Sequence, residues 1–168
     1  MCCEKIEGYT KYIGVEPSIY LTERARELYA APNREFITGN VYDLPLLDTS
    51  CDGALSVNVW FHLEDIEKAT SELARVLKIG GHFLVHTADN DSLDLWKSFY
   101  TNLVVDEKKM IGEFKHLTTK MKANMFYLHT NQQIIDILQK FNLHVSKIKK
   151  LGKKGSDYTF VIFEGEKI

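Results

Sequence analysis

The sequence predicts an α/β domain with a doubly wound, mostly parallel sheet and an antiparallel hairpin at its C-terminal end. Three observations support this fold class. Segments rich in strand formers alternate with segments of helical periodicity along most of the chain. Residues 53–57 are almost wholly apolar or small, which is typical of a parallel strand covered on both faces. Two strand-like segments near the end of the chain are separated by a loop short enough for an antiparallel hairpin.

The first part of the chain predicts two strands around one helix. The strands are expected at 12–15 and 35–38, and the helix between them at 19–31. Pro17 ends the first strand, and Ser18 offers an N-terminal cap to the helix that follows. These segments form the first strand–helix–strand unit.

The middle of the chain continues the alternation after a turn-rich loop. The apolar strand 53–57 is followed by a helical stripe over 64–78, and the pair Gly80-Gly81 is expected to stop that helix. Residues 82–87 form the next predicted strand. The segment 91–125 is helical in pattern but broken, and it has no clean period.

The last part of the chain predicts a helix and the two strands of the hairpin. Thr130 and Gln133 have the Thr-x-x-Gln spacing of a capping box, so a helix is expected to begin beside them. The strands are expected at 143–151 and 158–164. Without a convincing linker or internal repeat, residues 1–168 are interpreted as one domain.

Composition excludes several classes of function. The chain has 168 residues, with 21 Lys and Arg against 23 Asp and Glu, so nucleic acid is not expected as a partner. Cys2, Cys3 and Cys51 fit neither a disulfide framework nor a zinc motif, which favours a reducing, cytoplasmic compartment. No apolar run has the length of a membrane span, so no membrane partner is expected.

Candidate functional residues follow the predicted strands directly. Open α/β sheets bind ligands beyond the C-terminal ends of their strands. In this sequence those positions hold Glu16, the segment 39–41, the segment 58–62 and the residues after Thr87. An acidic side chain at such a strand end can accept hydrogen bonds from both hydroxyls of a ribose, but for Glu16 taken alone an exposed structural acid is the simpler interpretation.

Five short segments, in their order and spacing, resemble class I S-adenosylmethionine-dependent methyltransferases of the broad type known as methyltransferase type 11. The resemblance is close over residues 12–84 and looser beyond. The matching segments are IGVEPS at 13–18, FITGNVYDLPL at 36–46, SCDGALS at 50–56, HLED at 62–65 and ELARVLKIGG at 72–81. The resemblance implies a Rossmann-like sheet and S-adenosylmethionine as cofactor.

Carried over by position, the resemblance implies roles for individual residues. Glu16 would bind the ribose hydroxyls, and Asn40, which stands where the family usually has Asp, would accept from the adenine amino group. The backbone N–H of Val41 would face an adenine ring nitrogen. Asp43 would hold the loop. The residues implied near the methyl donor are Ser56 and Val57 for the cofactor, and Asn58 and His62 as candidates for catalysis.

His62 has an alternative interpretation, in which it only orients the start of the following helix. The segment 91–129 would be an insertion that covers the substrate. His82 and His86 lie four residues apart on a strand, about 13 Å at the rise of extended chain, so no metal site is expected from them.

The main departure from the family is the absence of a glycine-rich loop about 20 residues before Glu16. No Gly-x-Gly occurs in the sequence, so we expect an N-terminally truncated domain that lacks the family's first strand. In the family that strand lies between the strands ending at Glu16 and Val57. Three interpretations stay open: a fragment of a longer enzyme, a gap closed by direct pairing or by a second copy, or a relative that has lost its cofactor.

The sequence therefore predicts methyl transfer to a small-molecule acceptor in the intact family member. One alternative is a non-catalytic methyltransferase-like interaction domain that forms a homodimer. Another is a nicotinamide-dependent oxidoreductase in which Glu16 serves a different ribose.

Overall fold

The computed structural model describes residues 4, 6–89, 127, 129–152 and 160–168. Three α-helices and six strands are described in these ranges. The helices are α1 (Ile19–Tyr29), α2 (Ile66–Val76) and α3 (Asn131–Lys140). The strands are β1 (Tyr12–Glu16), β2 (Arg34–Thr38), β3 (Cys51–Val57), β4 (Leu77–Ala88), β5 (Leu143–Leu151) and β6 (Phe160–Lys167). A short 3-10 helix at Trp60–His62 connects β3 to α2.

The strands form two separate sheets. β1 and β2 make a parallel two-stranded sheet, and the other four strands follow the order β3-β4-β6-β5. β3 and β4 are parallel, whereas β6 is antiparallel to both β4 and β5. The α/β class, the mostly parallel strands and the C-terminal antiparallel hairpin are therefore confirmed. Within the described ranges no strand pairs with the outer edge of β1 or with that of β3.

The main core lies between the four-stranded sheet and helices α2 and α3. It contains Phe83, Val85 and Phe163 from the sheet, and Ile134 and Leu138 from α3, all almost completely buried. A much smaller cluster, built on Ala25 and Phe36, joins α1 to β2. Because buried apolar area provides most of the stability, the four-stranded part is the more stable unit.

Capping side chains set the starts of all three described helices. Ser18 accepts a hydrogen bond from the backbone of Leu21 at the start of α1, as the sequence predicts. Thr130 and Gln133 form the predicted reciprocal capping box at α3. At α2 the cap is Asp65, which accepts from the backbone N–H of Lys68.

The prediction of a helix through Lys78 that stops at Gly80-Gly81 is wrong. α2 ends at Val76, and β4 begins at Leu77 without an intervening loop. Leu77 pairs with Cys51, and the next paired residues are Gly53 and His82, so the intervening residues of β4 form a bulge. Gly80 has φ +74° within this bulge. The glycines therefore make a turn inside the strand.

The prediction that β3 is covered on both faces is also wrong. No residue of β3 is fully buried, and Leu55 is 40% exposed. β3 is the edge strand of its sheet in the described part of the chain. The strand β3 is therefore more apolar than its partial burial in the structure requires.

Smaller differences concern the ends of elements. α1 is two residues shorter than the predicted 19–31, because Ala30 leaves the helical conformation with ψ 130°. α2 starts at Ile66 rather than at residue 64, since the cap is at Asp65. The predicted insertion at 91–129 lies outside the described residues, except for Tyr127 and His129. No helix in the described ranges is long and apolar enough to cross a membrane.

Candidate functional site

The carboxyl ends of β1 and β2 bring Glu16 beside the turn that follows β2. Glu16 pairs with Thr38 in the parallel register, and the backbone N–H of Gly39 donates to the carbonyl oxygen of Glu16 at 3.1 Å. The side-chain Oε1 of Glu16 accepts from the backbone N–H of Ser18 at 3.0 Å. This bond orients the carboxylate at the start of α1, and Oε2 has no hydrogen-bond partner among the described residues.

Asn40 organises the turn after β2. Its side-chain Oδ1 accepts from the backbone N–H of Tyr42 at 2.9 Å, and its carbonyl oxygen accepts from the N–H of Asp43 at 3.1 Å. Asn40 is exposed, and Val41 is half-buried against the main core. In the described part of the chain the N–H of Val41 makes no hydrogen bond, so it is a free donor two residues beyond Gly39.

Ser56, Val57 and Asn58 lie at the carboxyl end of β3. Ser56 and Val57 are half-buried, and Val57 lies opposite His86 of β4 in the register. Asn58 is exposed and has φ 58°, a left-handed conformation that asparagine tolerates better than most residues. A non-glycine residue in this conformation at a strand end is a candidate functional position.

His62 is exposed at the end of the 3-10 helix, and its ring lies 4.3 Å from that of Phe61, centroid to centroid. The interpretation of His62 as the residue that orients the start of α2 is not supported by the capping geometry. Asp65 occupies the N-cap, with its Oδ1 accepting from Lys68 N–H at 2.9 Å. His62 is therefore not the cap of α2.

The structure brings the predicted residues together in two groups. Glu16, Asn40 and Val41 form one group at the end of the two-stranded sheet. Ser56, Val57, Asn58 and His62 form the other, at the end of β3 and in the connection that follows it. In the described ranges no strand of the two-stranded sheet pairs with a strand of the four-stranded sheet.

Two residues that sequence reasoning missed hold the loop between these groups. Arg75 of α2 donates from Nη2 to the carbonyl oxygen of Leu44 (2.9 Å) and from Nη1 to that of Leu46 (2.8 Å). Its Nη1 also meets Asp48 at 2.7 Å, and its Nε and Nη2 donate to the two carboxylate oxygens of Glu72, each at 2.7 Å. Oε2 of Glu72 accepts in turn from the N–H of Leu44 at 2.7 Å.

The electrostatics of this pair favour both charged forms. The hydrogen bond from Arg75 holds the pKa of Glu72 below its ordinary value, and the carboxylates of Glu72 and Asp48 raise that of Arg75. The side chains of Arg75 and Glu72 are 29% and 15% exposed. Asp43, expected to hold the loop, donates its backbone N–H to Asn40, whereas Glu72 and Arg75 bind Leu44, Leu46 and Asp48. The three-residue spacing of Glu72 and Arg75 on a predicted helix was the sequence signal for this ion pair.

One surface groove lies away from both groups. Its volume is about 490 Å³, and it is lined by residues from the end of α1 through β2, among them Arg26, Arg34 and Phe36. None of the predicted site residues lines it. We therefore take the strand ends, and not this groove, as the candidate site.

The chain is similar to known methyltransferases. A family model described as a methyltransferase domain matches residues 2–85. An uncharacterized methyltransferase of Schizosaccharomyces pombe is 35% identical over 97 residues, which cover 49% of this chain and 35% of that protein. The demethylmenaquinone methyltransferase of Symbiobacterium thermophilum is 38% identical over 78 residues, which cover 44% of this chain and 31% of that enzyme. The chain thus spans about a third of the length of these curated relatives.

Solved structures share the fold at low sequence identity. An S-adenosylmethionine-dependent methyltransferase from Mesorhizobium loti superposes with a TM-score of 0.70 and 14% identity, over 95% of this chain and 81% of that one. The geranyl diphosphate C-methyltransferase of Streptomyces coelicolor, solved with Mg²⁺, geranyl diphosphate and S-adenosyl-L-homocysteine, gives a TM-score of 0.63 and 13% identity. The match covers 93% of this chain and 62% of that one. At these identities the likeness establishes the fold.

Proposed function

The chain belongs to the methyltransferase domain family, and from that premise we propose that it binds S-adenosylmethionine and serves methyl transfer to a small-molecule acceptor. The observation that carries the proposal is the placement of the Glu16 carboxylate beside the Asn40–Val41 turn. An acceptor for ribose hydroxyls and a free backbone donor lie at the ends of two adjacent parallel strands. This arrangement suits a nucleoside.

The residues at this strand end fit the adenosine half of the cofactor. Oε2 of Glu16 is available to accept from ribose hydroxyls, while Oε1 is fixed by Ser18. Asn40 Oδ1 has a second lone pair beyond its bond to Tyr42, so it can accept from the adenine amino group. The N–H of Val41 can donate to an adenine ring nitrogen.

The acceptor side is assigned to the end of β3. We propose that Ser56 and Val57 border the methyl donor and that Asn58, with His62 as the other candidate, contacts the acceptor. The cofactor supplies an electrophilic methyl group on a sulfonium. The work left to the chain is to align the acceptor and, where the acceptor carries a proton, to receive it. The cysteine pattern supports the cytoplasm as the compartment.

Calorimetric titration with S-adenosylmethionine and S-adenosylhomocysteine tests the proposal. We expect saturable binding of both by the wild-type chain, and its loss in Glu16→Gln, because a neutral amide is a weaker acceptor for two hydroxyls. Glu23→Gln, an exposed change on α1, is the matched control and should bind like wild type. Absence of binding by a folded wild-type chain would sink the proposal, and binding of NADH in its place would favour an oxidoreductase.

A second candidate function is a non-catalytic interaction domain that forms a homodimer. The observations that favour it are the strand edges left unpaired in the described ranges, among them those of β1 and β3, and the exposed apolar side chains of α1. The latter are Ile19, Tyr20, Leu21 and Leu28. Unpaired edges and apolar helix faces are surfaces on which a second chain can pack.

Sedimentation analysis across a range of concentrations separates the two candidates. An interaction domain should dimerise without cofactor, and Leu28→Glu should return it to a monomer. A chain that binds S-adenosylmethionine and stays monomeric would contradict the interaction candidate.

A further inference from the structure

We propose that Glu72 and Arg75 are positioning residues for cofactor binding, which act on the adenine side of the site through the loop 39–48. The inference rests on the proposed function, because it concerns the same cofactor site. It assigns a role to two residues on α2, outside both groups of predicted site residues.

The first step is that the pair fixes the loop by its backbone. Leu44 is held at both its N–H, by Glu72, and its carbonyl oxygen, by Arg75. Leu46 is held at its carbonyl oxygen by the same guanidinium. The planar guanidinium of Arg75 donates to two carbonyl oxygens and two carboxylates, a geometry that lysine cannot reproduce.

The second step is that the fixed part of the loop contacts the residues at the strand ends. Pro45 packs so closely on Gly39 that a Cβ built on this glycine would lie 2.8 Å from Pro45 Cδ. Gly39 is bonded to the backbone of Glu16 and directly precedes Asn40. A shift of Leu44 and Pro45 is therefore transmitted to the turn that carries the adenine contacts.

The third step concerns the two sheets. Helix α2 packs in the main core against the sheet of β3 and β4, whereas Glu16 ends β1 of the other sheet and Asn40 lies in the turn after β2. No strand ladder joins the two sheets in the part of the chain that the structure describes, so the loop held by Glu72 and Arg75 is a direct mechanical link between them. It therefore sets how the adenosine contacts lie relative to the strand end assigned to methyl transfer. Displacement by about 1 Å is enough to impair such a reaction.

The test compares Arg75→Gln and Glu72→Gln with Arg24→Gln, which breaks an exposed ion pair of the same three-residue spacing on α1. Amide hydrogen exchange at Leu44 in the cofactor-free chain reports the loop, and exchange at Leu138 in α3 reports the core. We expect faster exchange at Leu44 and unchanged exchange at Leu138 in both variants. S-adenosylhomocysteine binding should weaken by about tenfold or more, as removal of supporting residues does at metal sites. Arg24→Gln should change none of these.

Ile134→Val distinguishes a positioning role from a general loss of stability. It removes one methyl group from the core beside α3 and lowers stability, but Ile134 lies on α3 and outside the loop. Its affinity for S-adenosylhomocysteine should match wild type, and Arg75→Lys should recover only part of the lost affinity. Unchanged exchange at Leu44, or unchanged affinity in a wild-type background that binds, would overturn the positioning role and leave the proposed function standing. A folded wild-type chain without binding would overturn both.

Discussion

The backbone N–H of Asn58 donates to the carbonyl oxygen of His86 at 2.9 Å, one residue beyond the last paired position of β3. The bond extends the parallel ladder while Asn58 itself turns into the left-handed region at φ 58°. The chain leaves the sheet at this point, and the side chain of Asn58 is exposed at the strand end. The backbone at Asn58 therefore favours a residue that tolerates positive φ, independently of the acceptor contact proposed for its side chain.

We expect Asn58→Ala to be less stable than Asn58→Gly by about 1 kcal/mol, because a Cβ without a compensating polar group is strained in the left-handed region. Urea unfolding of both variants measures the difference. Methyl transfer, if Asn58 contacts the acceptor, should fall in both variants, including the well-folded glycine variant. Equal stability of the two variants would contradict the strain argument.

Asn40→Asp should strengthen binding of S-adenosylmethionine by a few fold, because a charged acceptor makes hydrogen bonds roughly twice as strong as a neutral one. The aspartate can still accept from Tyr42 N–H, so the turn is retained. Calorimetric titration measures the change, with Asp43→Asn, an exposed substitution in the same turn, as the control. Weaker binding in Asn40→Asp would argue against the adenine contact.

Stability should decline as the pH falls through about 6.5, on account of His86. Burial lowers the pKa of His86 from 6.5, and its buried Nδ1 has no hydrogen-bond partner among the described residues. As the pH falls, His86 is therefore protonated in the unfolded chain before it is protonated in the folded one. The stabilisation from neutral His86 is complete above the pKa of the unfolded chain, and it is lost as the pH falls toward the lower pKa of the folded chain. Melting temperatures of wild type and His86→Phe, measured from about pH 7.5 to about pH 5.5, should show a smaller decline in the variant.

Phenylalanine suits this comparison because the ring of His86 stacks on Phe160 at 4.8 Å, centroid to centroid. The same slope in both proteins would show that His86 does not titrate as a buried neutral group.

Gly165→Ala should destabilise the chain by about 3 kcal/mol, the upper end of the usual cost of overpacking, since the β6 backbone has no room for a methyl group. A Cβ there would collide with the carbonyl oxygen of His144 and lie 2.8 Å from the ring of Phe83. Gly53→Ala is the control, because its Cβ would meet nothing closer than the His82 oxygen at 3.7 Å. Denaturant unfolding of both variants should give a large difference, and similar stabilities would contradict the packing argument.

Local chemistry made much of the fold predictable. The strand at Tyr12–Glu16 and the capping box of Thr130 depend on neighbouring residues, and the sequence predicts both correctly. The end of α2 was mispredicted because a glycine pair signals a turn without saying whether the turn ends a helix or bends a strand. Burial of β3 depends on what packs beside it, and that information lies outside residues 53–57.

The candidate site was likewise predictable from the sequence only in part. Glu16 and Asn40 could be chosen from sequence because strand ends are where such folds bind ligands. The role of Glu72 and Arg75 could not be chosen, since it depends on a loop some 30 positions earlier in the chain reaching α2. Charge spacing on a helix predicts an ion pair but does not reveal the carbonyls that the pair also binds.

The bulge in β4 determines where residues can be inserted or deleted near the junction of α2 and β4. Because α2 runs into β4 without a loop, one residue inserted at that junction would reverse which side chains of the strand face the core. Between Leu77 and His82 the constraint is relaxed, since Gly80 and the 80% exposed Ile79 lie in the bulge and the register resumes beyond it. Insertions and deletions in natural variants should therefore collect in the bulge and avoid the junction a few residues earlier.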